Sequence, residues 1–356
     1  MRQESKVLFI DVIRAIAAVM VVVIHVSGYA VDHFLEPQHE QPFFWWVAAF
    51  LNASSRVAVP LFVMVSGYLL LNHHDKNEPW SWLKNRLFRI LIPLIVWIAI
   101  YFLWRQFSLP EGYSAMEMLR AIARGDPYYH LWFLYMLIGL YFATPILKTY
   151  LHGADRPNVK YFIVIWFLFT AIPPFINRAL YINHFGLSVS VVSGFVGYYM
   201  LGYWMRDVVL TRTQSVLIGL AVILSMVVTT LGTYLLTSRA GGKVDELFFD
   251  AMTPNIIMGT LGIFAILKSV SWEAIYVRFS FIRSVIEVLS AASFFLYLSH
   301  PLLLGLLRIT NIEYFSPATN PIIGIPITVT VITLMAVMIR STLSRIPVIN
   351  VKAFLG

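Results

Sequence analysis

Asp11, Arg14 and His25 stand in a stretch, FIDVIRAIAAVMVVVIHVSGY (residues 9–29), that is otherwise almost entirely apolar. An imidazole titrates near neutrality, so it can take a proton from a hydroxyl during attack on a carbonyl and return it to a leaving group. An arginine can grip phosphate or carboxylate through its guanidinium fork, and a neighbouring acid can hold that fork in place. On a helix, eleven residues bring Arg14 and His25 to nearly the same face, about 16 Å apart along the axis. Asp11 falls one turn before Arg14, at pairing distance. Arg56 stands in mid-run, His130 opens a later run and His300 lies inside another, while Lys84, Arg86 and Arg89 cluster at the start of one.

These residues sit in a membrane protein. The 356 residues are 59% hydrophobic and only 12% charged, about half the charge of an ordinary globular chain. The apolar residues fall into runs of bilayer-crossing length. The expected fold is all-α and polytopic, one membrane-embedded domain over residues 1–356. Ten spans are expected near 8–31, 43–71, 83–104, 129–147, 159–177, 187–205, 214–236, 252–270, 289–308 and 321–340. The second span carries Asn52, Arg56 and Pro60 in its middle. Interrupted backbone at that depth is tolerated against protein or a wet cavity, so this span is expected to line a cavity. The first span follows Arg2 and Lys6 but has too long an apolar run for a signal core and no clear cleavage site, and reads as uncleaved.

With the N-terminus inside, 17 of the 26 Lys and Arg fall in cytoplasmic segments, which places both termini in the cytoplasm by the positive-inside rule. The net charge of +8 therefore reads as topology rather than as a nucleic-acid surface. Without cysteine there is no disulfide, thiolate nucleophile or cysteine-ligated metal. His73 and His74 offer no convincing metal-ligand set, so no metal is expected. Among the loops, 237–251 carries three acids, 116–123 is amphipathic, and 272–283 reads as a short surface helix. The stripe GFVGYYMLG (194–202) reads as a packing face.

DVIRAIAAVMVVVIH (residues 11–25) resembles the opening Asp-x-x-Arg…His pattern of the integral-membrane acyltransferase 3 family. RVAVPLFVMVSGYLL (56–70) is similar to that family's second-span signature. Arg86-Leu-Phe-Arg89 resembles its basic-x-x-Arg element, His130-Leu-Trp-Phe-Leu134 its HLWF stretch, and Ser293…Tyr297…His300-Pro301 its late Ser…Tyr…His-Pro element. The run NASSRVAVPLF is similar to members that O-acetylate enterobacterial surface glycans. The resemblance implies a multi-pass protein of the bacterial inner membrane. It implies movement of an acyl group, commonly acetyl, from cytoplasmic acyl-CoA to a carbohydrate hydroxyl on the periplasmic side. The implied partners are acyl-CoA, a surface glycan or lipid-linked saccharide, and membrane lipid, with no nucleic acid.

His25 is then the expected base, or an acyl-histidine nucleophile; a satisfied interhelical histidine is the other reading. Arg14, braced by Asp11, contacts the donor or simply pairs with Asp11. Lys84, Arg86 and Arg89 suit the phosphates of acetyl-CoA, although inner helix ends are basic in any membrane protein. Arg56 orients a substrate or pairs with an acid. His130, Trp132, Tyr135 and His300 are the expected substrate-binding set, with Tyr297 in support, whereas Ser66 and Gly67 read as helix-packing residues. A transporter or flippase for a lipid-linked sugar would also use buried Arg14, Arg56, His25 and His300, and a scaffold would leave them unexplained.

Overall fold

The computed structural model describes residues 8–34, 42–71, 79–108, 114–153, 156–180, 194–240, 243–309 and 320–345. In chain order the helices are α1 (Leu8–Phe34), α2 (Pro42–Ser55), α3 (Ala58–Leu70), α4 (Pro79–Ser108), α5 (Ala115–Arg124), α6 (Trp132–Gly153), α7 (Arg156–Ala171) and α8 (Pro173–Leu180). Then follow α9 (Val196–Trp204), α10 (Arg212–Arg239), α11 (Pro254–Ser269), α12 (Trp272–Arg278), α13 (Ser280–Ile309) and α14 (Pro321–Leu343). Among the described residues there is no strand, and nine helical stretches are long and apolar enough to cross a membrane. The protein is an all-α polytopic membrane protein.

α1 is the hub. It packs on α13, α2, α3, α14 and α11, and Val12, Ile13, Ala17, Ala18, Val22 and Val26 are buried within that ring. Lipid tails are as apolar as these side chains, so close packing and polar matches hold the helices together. α3 and α9 show how close. A Cβ on Gly67 would lie 1.9 Å from the Tyr199 carbonyl oxygen, and one on Gly202 would lie 2.0 Å from that of Met64. The two backbones touch, and only glycine permits it. The 194–202 stripe is thus a packing face, and the Ser66 hydroxyl donates within its own helix, to the Phe62 carbonyl.

The second span is broken in two, at Arg56 and Val57 rather than at Pro60. Pro60 has no N–H to give the carbonyl of Arg56 four residues earlier, so the helix stops there. Pro60 itself sits in the first turn of α3, where an N–H would have no helical partner. The fifth span is likewise split at Ile172, ahead of Pro173 and Pro174. The surface helix expected over 272–283 ends at Arg278; residues 280–283 belong to α13, which starts nine residues before its expected bound. α5 carries a capping box: the Ser114 hydroxyl accepts from the Glu117 N–H, and the Glu117 carboxylate accepts from the Ser114 N–H and hydroxyl. Those bonds hold the Glu117 carboxyl below its usual range.

Polar contacts fix the direction of each helix. Arg156, opening α7, pairs with Asp207 beyond α9 at 2.9 Å. Lys268, closing α11, donates to the carbonyls of Arg206 and Val208 at 2.8 and 2.7 Å. Phe9 meets Tyr68 and Phe264 edge-on. All of these lie at one end of the bundle. At the other end, Arg178 of α8 pairs with Asp245. α9 therefore descends beside α3 and α11, in the direction that an expected sixth span requires. α9 itself, nine residues, covers about 14 Å; residues 187–193 of the expected span lie outside the described residues.

Gly202→Ala forces a methyl against backbone that cannot yield. It is expected to cost about 1–3 kcal/mol, read as a lowered melting temperature in detergent; an unchanged melting temperature would mean that the α3–α9 crossing is looser than described here.

Candidate active site

Register between α1 and α13 builds the site. Ser290 of α13 donates to the Asp11 carboxylate at 2.7 Å, and Arg14 donates to the Ser293 hydroxyl at 3.3 Å. Further along, the His25 ring stacks on that of His300, with centroids 5.0 Å apart. Residues 11, 14 and 25 thus meet 290, 293 and 300 in ascending order, so the two helices run parallel. Asp11, Arg14 and His25 of α1 each meet a polar group of α13, as burial in a bilayer demands.

His25 faces a cavity of about 450 Å³ lined by Arg56, His130, Trp132, Glu246, Asp250 and Tyr297, among others. His130 is 2% exposed and His300 fully buried. His300 Nδ1 lies 2.7 Å from the Tyr297 carbonyl. A carbonyl only accepts, so Nδ1 carries the proton and Nε2 the lone pair. His130 is held the other way: Nε2 donates to the Leu298 carbonyl at 3.3 Å, leaving Nδ1 as its lone pair. Among the described residues, neither His300 Nε2 nor His130 Nδ1 has a hydrogen-bond partner. The Tyr297 hydroxyl donates to the His130 carbonyl, and Tyr101 donates to that of Leu298 at 2.6 Å. The first bond ties the start of α6 to α13 and the second ties α4 to α13.

Arg56 emerges at the break between α2 and α3. Its Nε donates to Asn52 Oδ1 at 2.7 Å, and its guanidinium lies 4.2 Å from the Phe249 ring centroid and 3.8 Å from Glu246. Asn52 in turn donates to the Ile24 carbonyl and the Ser27 hydroxyl, both at 3.0 Å. One asparagine therefore joins the wall beside His25 to the arginine that faces it. The acids come from the loop before α11, whose acidic character is visible in the sequence although its destination is not.

The predicted residues divide into three places. His25, Arg56, His130 and Trp132 line the cavity, with His300 stacked behind His25. Asp11 and Arg14 lie one to two turns into α1 from the opposite end. Lys84, Arg86 and Arg89 lie at the start of α4, where Lys84 and Arg89 are exposed and Arg86 half-buried. Lys148 of α6 joins them there, 5.0 Å from the Trp82 ring. Tyr135 stands outside the cavity; its hydroxyl donates to the Ile122 carbonyl at 3.2 Å and holds α5 against α6. Asn52 belongs to the interrupted span expected to line a cavity, whereas Tyr129, whose ring lies 4.8 Å from that of His25, and the individual acids Glu246 and Asp250 are additions from the structure. The Tyr128–Tyr129 pair just before His130 was the available signal.

Among known families, the acyltransferase 3 model (Acyl_transf_3, acyltransferase domain) matches residues 7–340. The chain belongs to the acyltransferase 3 family. No curated protein and no solved structure matches it. As a membrane acyltransferase of this family, it has its matched region running from the start of α1 to the end of α14, and every residue of the cavity falls within it.

Asn52→Ala removes the bond to Arg56 and both ties to α1. A hydrogen bond to a charged group contributes about 1.5–3 kcal/mol, so thermal stability in detergent should fall by at least that order. Loss no greater than for a half-buried serine of the same helix, Ser54→Ala, would contradict the anchoring role.

Proposed function

We propose that this protein is an O-acyltransferase of the bacterial inner membrane. Its donor is cytoplasmic acyl-CoA, acetyl-CoA in the first instance. Its acceptor is a carbohydrate hydroxyl of a surface glycan or of a lipid-linked precursor on the periplasmic side. The observation that carries the reading is the placement of His25: it faces a polar cavity at one end of the bundle, while Lys84, Arg86 and Arg89 cluster at the other. Such a division suits a donor with an anionic head and a long arm, entering from one side, and an alcohol entering from the other.

The chemistry asked of the chain is modest. An acceptor hydroxyl attacks the thioester carbonyl, a C–O bond forms and the C–S bond breaks. The hydroxyl proton passes to His25 and from there to the departing thiolate, so the imidazole ends unchanged. His300, with Nδ1 fixed on the Tyr297 carbonyl, gives His25 a stacked neighbour that cannot rotate freely. Arg56 and Trp132 suit binding of a sugar, the one through donors and the other through its face. Arg14, further along α1 with Asp11 and Ser293 limiting its freedom, suits contact with the donor arm.

Purified protein given radiolabelled acetyl-CoA and membrane glycan should label the glycan. His25→Ala should lower transfer by about 10²–10⁴-fold while CoA binding persists; loss of CoA binding instead would make His25 a ligand or structural residue. Movement of the saccharide across the membrane without acylation would mark a transporter. A second measurement concerns the donor end: Arg86→Ala combined with Arg89→Ala should weaken CoA binding measured by calorimetry. An unchanged affinity would return both arginines to the role of helix-end anchors.

A further inference from the structure

Beside the His25 cavity, the described residues form a groove of about 630 Å³ between α8, α10, α11 and residues 247–249. It is lined by Ile172, Phe175, Leu224, Val228, Phe248 and Met258, among others, with Ser225 and Asn255 as its polar members. Leu224, Val228 and Met258 are each more than one-third exposed, so the groove opens sideways. In a bilayer it opens to lipid. It is also deep: Val228 and Leu224 lie 11 and 15 residues from the end of α10 at Arg239, about 16 and 22 Å down the helix.

Two observations say what fills it. The first is continuity with the site. Phe248 lines the groove and Phe249, the next residue, lines the cavity beneath the Arg56 guanidinium, so one short segment is the wall between them. The second is Asn255, which lines the groove at the start of α11 and is 7% exposed. Its amide nitrogen donates to the Phe248 carbonyl and to Thr229 Oγ1, each at 2.8 Å. A carbonyl cannot donate, which fixes the orientation of the amide. Oδ1 is then a buried acceptor with no partner among the described residues, a costly state unless a donor arrives. Saccharide hydroxyls donate. The ester and phosphodiester oxygens of a phospholipid only accept and its glycerol or ethanolamine headgroup can donate, so it is the continuity with the His25 cavity at Phe248 and Phe249 that favours a saccharide as the donor.

We propose that the groove seats the hydrocarbon chain of the acceptor, which is therefore a lipid-linked saccharide rather than a free polymer. The chain lies along α10 from the bilayer side, and the sugar passes Asn255 and the 248–249 wall to reach His25. This rests on the acyltransferase reading above and narrows its acceptor. The groove raises the local concentration of a substrate confined to the membrane and fixes which stretch of saccharide lies beside the imidazole.

The test compares two acceptors in nanodiscs: a saccharide joined through pyrophosphate to a long isoprenyl chain, and the same saccharide without the lipid. Leu224→Trp and Met258→Trp each fill the groove from a half-exposed position away from the cavity. Each should lower kcat/KM for the lipid-linked acceptor by about tenfold or more and leave that for the free saccharide unchanged. Activity on the free saccharide also reports that the variants fold. A photoreactive isoprenyl phosphate should label α10 or α11 in the wild type and lose that labelling in both variants. Equal loss on both acceptors, no loss on either, or labelling matched by a photoreactive phosphatidylglycerol would overturn the proposal. Absence of transfer to either acceptor by the wild type would instead overturn the acyltransferase reading.

Discussion

The parallel seam between α1 and α13 is the constraint on which the structure depends. A carboxylate, a guanidinium and an imidazole on one helix cannot face lipid, and pairing of Asp11 with Arg14 along α1 still leaves the imidazole and further polar capacity to be met from a neighbouring helix. Ser290, Ser293 and His300 answer them in register. Once that register is set, the rest of the bundle has to close around it, since α1 also packs on α2, α3, α11 and α14. The parallel direction carries a topological consequence. Two parallel spans need an odd number of crossings between them. The count works only if the chain crosses once between α7–α8 and α10, where α9 descends.

A second constraint arises where the second span breaks. Pro60 denies a partner to the carbonyl of Arg56, and the side chain of the same residue then leaves the helix at the level of His25. A lone guanidinium there would be costly. The structure surrounds it with Asn52, the Phe249 face and Glu246, each from a different direction. Only the first belongs to a neighbouring turn. The other two arrive on the loop before α11, so that loop is at once a counter-charge, the floor of the cavity and its boundary with the lateral groove.

Much of this was legible in the chain itself, because bilayer burial makes polar residues conspicuous. The cluster of His25, His130, His300 and Arg56 could be picked out one residue at a time, since each interrupts an apolar run. The break at Arg56 was readable from Pro60, although its position four residues upstream follows from which carbonyl the proline orphans. What could not be read was pairing across helices. Nothing in the types or spacing says that Glu246 meets Arg56, or that Ser290 rather than another serine meets Asp11. Tyr135 shows the converse: its neighbours at 130 and 132 line the cavity, yet the turn of the helix and the loop above direct its hydroxyl to Ile122. The split at Ile172 was signalled by Pro173 and Pro174, whereas the early start of α13 was hidden because residues 280–288 are too mixed in polarity to read as a span.

In the proposed mechanism one imidazole joins two compartments, with the thioester and the alcohol arriving from opposite faces. Sealed proteoliposomes test it most directly, with radiolabelled acetyl-CoA confined to one side and the saccharide acceptor to the other. Labelled saccharide should appear on the acceptor side for one orientation of the protein, with all CoA remaining on the donor side. Transfer only when donor and acceptor share a compartment would contradict it.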